Sequence, residues 1–187
     1  MTQAKVRWRR AGAAFAALSL VSCTGPVTLS PDFSPRAPNA SAAQPAEHAC
    51  RVRLAEFHDE LTDPGTMGSI GFRPIRADTA AWVRSGLGTL ARDPRIQFVD
   101  GGQADLDLNV SLLKAYMISI TTEKSANVVL RIRYTRPDAS SDEQVYRGVD
   151  TGLDWAGTTD ETQGALDDAL AEALASIQRD VLARCPH

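Results

Sequence analysis

Residues able to do chemistry are sparse in this 187-residue chain, and one acidic stretch is the densest of them. Glu56, His58, Asp59, Glu60 and Asp63 fall within eight positions, beside glycines at 65, 68 and 71. An imidazole among carboxylates can pass protons or hold a cation, so a hydrolytic or ligand-binding site around His58 and Asp59 is one reading. No serine or cysteine nucleophile accompanies it in a recognised frame, and a solvated acidic loop is the plainer reading. His48, His58 and His187 are scattered and no CxxC pair occurs, so neither a metal site nor a cofactor is expected.

Two other strings resemble known sites and lose on context. Gly86-Leu87-Gly88-Thr89-Leu90-Ala91 spells GxGxxA, but it lies inside a helical pattern where a dinucleotide motif must join a strand to a helix. Asp105, Asp107 and Asn109 begin like a calcium loop, yet Val110 stands where the turn glycine belongs. Their period of two marks the wet face of a strand. Gly65 to Gly71 lacks the Lys-Ser/Thr that follows a phosphate-binding loop.

The N-terminus carries a different chemistry. Lys5, Arg7, Arg9 and Arg10 form a basic segment, Ala11 to Leu20 an uncharged apolar one, and Leu20-Val21-Ser22-Cys23 closes it with a small residue before a cysteine. This looks like a lipobox: residues 1–22 are expected to be removed as a signal peptide and Cys23 acylated as the first mature residue. The apolar run is far short of the roughly 20 residues that cross a bilayer. Thr24, where an Asp tends to retain such proteins in the inner membrane, points to an outer-membrane anchor with the domain facing the periplasm.

After the signal, 187 − 22 leaves 165 residues, enough for one domain and a tether. Residues 23–49 hold Pro26, Pro31, Pro35, Pro38 and Pro45 among Ser, Ala, Asn and Gln, and are expected to form that flexible tether. Residues 50–187 are then a single globular domain. A net charge of −3 with no basic cluster argues against a nucleic-acid partner.

The elements that must position any site follow from periodicity. A strand is expected over 51–57 and a helix over 79–92, capped by Asp78 and striped with Val83, Leu87 and Leu90. Ile96 to Val99 is a short strand. Leu106, Leu108, Val110, Leu112, Tyr116, Ile118 and Ile120 alternate over a long one, and Ala126 to Tyr134 repeats the pattern as its hairpin partner. Gln144 to Trp155 is a third long strand. Thr158 and Glu161 have capping-box spacing ahead of a helical stripe through Leu166, Leu170, Leu174, Ile177 and Val181. The expected class is α+β: an antiparallel sheet of about four to five strands with two amphipathic helices packed on one face.

Cys50 and Cys185 flank this domain, and in an oxidising compartment they are expected to pair once Cys23 is acylated. On the helix-free face of the hairpin, Leu113, Ala115, Met117 and Val129 break the polar alternation of Asp105, Asp107, Asn109 and Ser111. With the turn near Thr122 and Glu123, Met117 falls opposite Val129, and the four residues are expected to form a small contact patch flanked by Arg131 and Arg133.

The lipobox, an Ile-Gly at 70–71 after a strand ending near Asp59, the run Ala104-Asp105-Leu106-Asp107-Leu108-Asn109-Val110-Ser111-Leu112, Tyr146-Arg147-Gly148 and the long closing helix together resemble the YajG-type family of small bacterial lipoproteins. The similarity spans Arg51 to Leu182; Asp59 and Gly71 match the family's Asp and Gly around the first loop, with Leu61 replacing its usual Arg. The resemblance implies an α/β envelope lipoprotein related in architecture to auxiliary lipoproteins of transport and assembly machines, and it supplies no catalytic residues. The expected function is therefore a non-enzymatic binding or assembly module, attached to the membrane by its lipid and either serving an envelope complex or self-associating. An envelope hydrolase or ligand-binding enzyme built on His58 and Asp59 is the alternative.

Overall fold

A computed structural model describes residues 25–36, 48–120, 123–153 and 158–185. The expected signal peptide and Cys23 lie outside the described residues. Strands β1 (Val27–Thr28), β2 (Cys50–Asp59), β3 (Thr66–Ile70), β4 (Arg73–Arg76), β5 (Ile96–Phe98), β6 (Leu106–Ile120), β7 (Glu123–Thr135) and β8 (Ser141–Leu153) make one sheet. Helices α1 (Thr79–Gly88) and α2 (Thr159–Arg184) form the second layer. Asp78 caps α1 through the Ala81 N–H, and Thr158 with Glu161 closes a capping box on α2, as their spacing predicts.

The sheet has eight strands and is mixed, where four to five antiparallel strands were expected. Among the described strands, only the β6–β7–β8 meander and the β3–β4 pair are antiparallel. On its other edge β6 takes two parallel neighbours in succession, β2 along Leu106 to Leu112 and β3 at Met117 and Ile118. Parallel pairs need a crossover instead of a tight turn, so they leave no hairpin signature in sequence. Short strands broken by Gly65, Gly68 and Pro74 leave little alternation either.

Alternation holds where the strands are long. Leu106, Leu108, Val110 and Leu112 on β6, and Ala126, Val128, Leu130, Ile132 and Tyr134 on β7, are fully buried on the face that carries the helices. Between Leu112 and Lys114 the register slips: Leu112 pairs with Leu130 but Lys114 with Val129, which makes Leu113 the extra residue of a β-bulge. One inserted residue exchanges the two faces for the rest of the strand. Ala115 and Met117 therefore enter the core at 3% exposure each, and Ile118 turns to solvent. The expected contact patch is corrected accordingly. Met117 pairs with Ala126 and is core with Ala115, whereas Leu113 and Val129 are half-buried.

The first part of the expected tether also belongs to the fold. Val27 and Leu29 are buried, β1 adds to β4 in parallel, and the Leu29 N–H bonds the Arg76 carbonyl at 2.8 Å. Further along, backbone N–H groups of Ser30, Phe33, Ser34 and Arg36 donate to side chains of Gln163, Ser85, Asp167 and Asp168. Residues 25–36 thus form a strap across both helices. Prolines do not prevent this, because an extended strap needs no continuous ladder and Val27, Leu29 and Phe33 supply apolar contacts.

Asp167 of α2 holds these layers together. Its buried carboxylate accepts the Trp82 indole N–H of α1 at 2.7 Å, the Gln163 amide at 2.9 Å and the Ser34 N–H of the strap at 3.1 Å. Burial pushes its pKa up, against the pull of those donors. At the other end of α2, the Tyr134 and Tyr146 hydroxyls lie 2.6 Å apart and Tyr146 donates to Asp180 at 2.6 Å. Burial lifts Tyr134 to about 12 and also raises Tyr146, so both stay protonated and serve as a latch. Beside them Cys50 and Cys185 sit at disulfide distance, with Cα atoms 5.7 Å apart. Gly148 lets α2 approach this closely, since a Cβ there would stand 1.8 Å from the Ala169 carbonyl oxygen.

Because the bulge reverses the face, Met117→Asp buries an unpaired charge and is expected to cost more than about 3 kcal/mol, against less than about 1 kcal/mol for Val129→Asp. Denaturant melts of the two variants check this; equal losses would mean that the parity does not switch.

Asp93, buried ahead of β5, accepts from the Arg95 side chain at 2.7 and 2.9 Å and from Gln178 of α2 at 2.8 Å. Bonding to Arg95 above all, with help from Gln178, outweighs desolvation and depresses its pKa from 3.8 to about 2. A depressed carboxylate stabilises the fold above its unfolded pKa and loses that contribution as pH falls through the folded one. Asp93→Asn is expected to lose about 2 kcal/mol near neutral pH, with the gap to the parent closing between about pH 4 and pH 2. Urea titrations across that range measure it, and a pH-independent gap contradicts the assignment.

Candidate functional site

Strand geometry separates the two residues most able to act together. Neighbouring side chains on a strand point to opposite faces, so His58 and Asp59 at the end of β2 diverge. Asp59 turns toward the start of α1, where its carboxylate accepts the Leu61 N–H at 3.0 Å and the Thr79 hydroxyl. It ties the first loop to the helix. His58 turns to the helix-free face of the sheet and bonds Glu56 at 3.1 Å.

On that face Glu56, His58, Glu60, Asn109, Ser111, Arg131, Arg133 and Glu143 line an open depression of about 270 Å³. Charges on this face are paired between neighbouring segments, inside the depression and beside it. Arg131 bonds Glu60 and lies 3.8 Å from Glu143, Arg133 reaches Glu143 at 3.3 Å, and Arg53 forks onto Asp107 at 2.8 and 2.7 Å. The Ser111 hydroxyl, then the Arg131 charge, outweigh desolvation and hold Glu60 below the usual carboxylate range. Such a group is a poor proton donor near neutral pH. Cross-strand pairs of this kind set register and solubility, and contribute little stability each at a solvated surface.

Sequence reasoning found His58, Asp59 and Glu60 but paired the wrong two, because contiguity in sequence suggested proximity of side chains. It missed Arg131, Arg133 and Glu143 as their neighbours, since β7 and β8 bring these across only after the sheet forms. Among the described residues, no three His, Cys, Asp or Glu side chains group as metal ligands, and no helix is long and apolar enough to cross a membrane.

Asp59→Ala is expected to lose about 1–2 kcal/mol by stranding the Thr79 hydroxyl and Leu61 N–H, while His58→Ala leaves stability within about 0.5 kcal/mol of the parent. Thermal melts decide it. The reverse order would place His58, not Asp59, in the structural role.

No family model matches the chain, and no curated protein is similar to it in sequence. Among solved structures, at least one shares its fold. A protein from Xanthomonas campestris described under the family model DUF330 superposes with a TM-score of 0.58 at 10% identity, covering 84% of this chain and 95% of its own. A minor lipoprotein from Acinetobacter baumannii gives a TM-score of 0.45 at 10% identity, over 73% of this chain and 93% of its own, a likeness too loose to bear on function. The fold is therefore one that the Xanthomonas protein also has, and the narrower YajG-type assignment is not established by it.

Proposed function

We propose that the chain is a lipid-anchored, non-enzymatic protein of the bacterial envelope, whose domain acts as a binding or assembly module. One observation carries the module reading: His58 and Asp59 are directed to opposite faces of β2, while the polar groups around His58 are already matched with one another. A catalytic site needs convergent groups with an unmet partner. The lipobox at Cys23 supports the anchor, and the fold shared with the DUF330 protein is compatible with it.

In this reading the domain stands on the outer membrane facing the periplasm, where the oxidising environment keeps Cys50 and Cys185 bonded. Its partner is an envelope or transport complex, or a second copy. Val145 and Val149, exposed on β8 beside Arg131 and Asn127 of β7, make the helix-free face the contact surface in place of the patch around Met117. The edge of β8 is guarded against strand addition, because Glu172 of α2 takes the Val149 N–H at 2.6 Å.

Cys23→Ser is expected to leave the chain unacylated and release it from the membrane fraction, as intact mass and fractionation report. A photo-crosslinker at Val145 in the parent is expected to capture one partner in native envelopes. A serine variant that is processed and sediments like the parent removes the anchor, and capture of nothing at Val145 removes this face as the contact.

A further inference from the structure

Three of the largest exposed apolar side chains lie at one end of the molecule. Phe72 is completely exposed at the turn between β3 and β4, Leu153 is 54% exposed at the end of β8, and Ile118 is 48% exposed near the end of β6. Register places them together. β3 runs parallel to β6 with Ser69 beside Ile118, and Leu153 pairs with Glu123, which pairs in turn with Ile120. From β3 to β8 is three strand spacings, roughly 14 Å. Ile118 and Leu153 line the same open groove. Gly71, at φ +56 in open space, allows the sharp turn that holds Phe72 clear of the sheet.

The chain also enters the fold at this end. β1 is parallel to β4, with Val27 beside Ile75, so Gly25 lies near the start of β4, and Arg73 donates its Nε–H to the Gly25 carbonyl at 3.0 Å. Cys23 is two peptide units before Gly25, a reach of at most about 7.6 Å. The strap over residues 25–36 is bonded to both helices, so it cannot pay out as a longer leash without giving up the Ser34 contact with Asp167.

We infer that this end of the domain docks directly on the phospholipid bilayer, with Phe72 inserted into the acyl-headgroup boundary and Ile118 and Leu153 resting on it. The inference rests on acylation of Cys23. An acyl chain within two residues of a bonded segment holds the adjoining surface at the membrane, and the side chains found there are those a membrane accepts. Burying an apolar side chain at the boundary adds to what the lipid on Cys23 contributes, in proportion to the area taken out of water, and it fixes which surface of the domain meets the membrane. Arg73 is exposed for headgroup phosphate, while Glu123 at the same end means that apolar insertion outweighs charge. Asp138, in the turn at the opposite end of the β7–β8 hairpin, then stands roughly 40 Å from the bilayer.

The full chain, made in bacteria so that Cys23 can be acylated, is labelled with an environment-sensitive fluorophore at Ser69→Cys, beside the turn, or at Asp138→Cys. Each is reconstituted into vesicles of phosphatidylethanolamine and phosphatidylglycerol carrying nitroxide-labelled acyl chains. Flotation reports the anchor and quenching reports the docking. Both labelled proteins are expected to float, with quenching at position 69 several-fold above that at position 138, and Phe72→Ser is expected to lower quenching at 69 while flotation persists. Floating protein with equal quenching at the two positions, or with quenching unmoved by Phe72→Ser, overturns the docking and leaves the anchor standing. Protein that does not float removes the anchor and the docking together.

Discussion

A single buried carboxylate makes the rest of this architecture cohere. Asp167 has no exposed surface and accepts hydrogen bonds from two segments distant in sequence, Trp82 on α1 and Ser34 on the strap, and from Gln163 one turn away on α2. A carboxylate stripped of water is tolerated only when such donors replace the solvent, and each donor removed leaves a costly unmet acceptor. The helices therefore cannot separate, nor the strap lift, independently of one another. The layer over the sheet and the path of the N-terminal chain become one structural unit.

That coupling changes what the N-terminus does. A flexible tether lets a domain sample orientations well away from a membrane, whereas a segment bonded from Leu29 to Arg36 fixes the edge from which the chain departs. The departure point lies at the end of the sheet that carries Phe72, Ile118 and Leu153. The opposite end is closed by the Tyr134–Tyr146–Asp180 chain and by Cys50 with Cys185. The domain is polar along its length: one end is built for cohesion, the other is left apolar.

The helix-free face has a third character. Its charges are arranged as matched pairs across neighbouring strands, from Arg53 with Asp107 to Arg131 and Arg133 with Glu143. Matching keeps a broad open sheet soluble and discourages unselective association, while Val145 and Val149 leave limited apolar area for a specific partner. In the proposed reading this face serves recognition, not chemistry.

Sequence by itself determined the features governed by local periodicity. The stripe from Leu166 to Val181, the capping residues Asp78, Thr158 and Glu161, the alternation from Leu106 to Leu112 and the matching run on β7 were all legible, because burial on one face imposes a repeat that neighbouring residues display. The approach of Cys50 to Cys185 was legible from cysteine count alone, although Cys50 follows the seated residues 25–36 and so lies inside the domain, not at its boundary. Tertiary structure alone decided the rest. One inserted residue at Leu113 carries no compositional mark, yet it sends Met117 inward and Ile118 outward. Parallel neighbours on β6, the seating of residues 25–36 and the pairing of Glu60 with Arg131 depend on contacts far apart in the chain, and no local pattern encodes which distant partner a strand edge or a carboxylate will find.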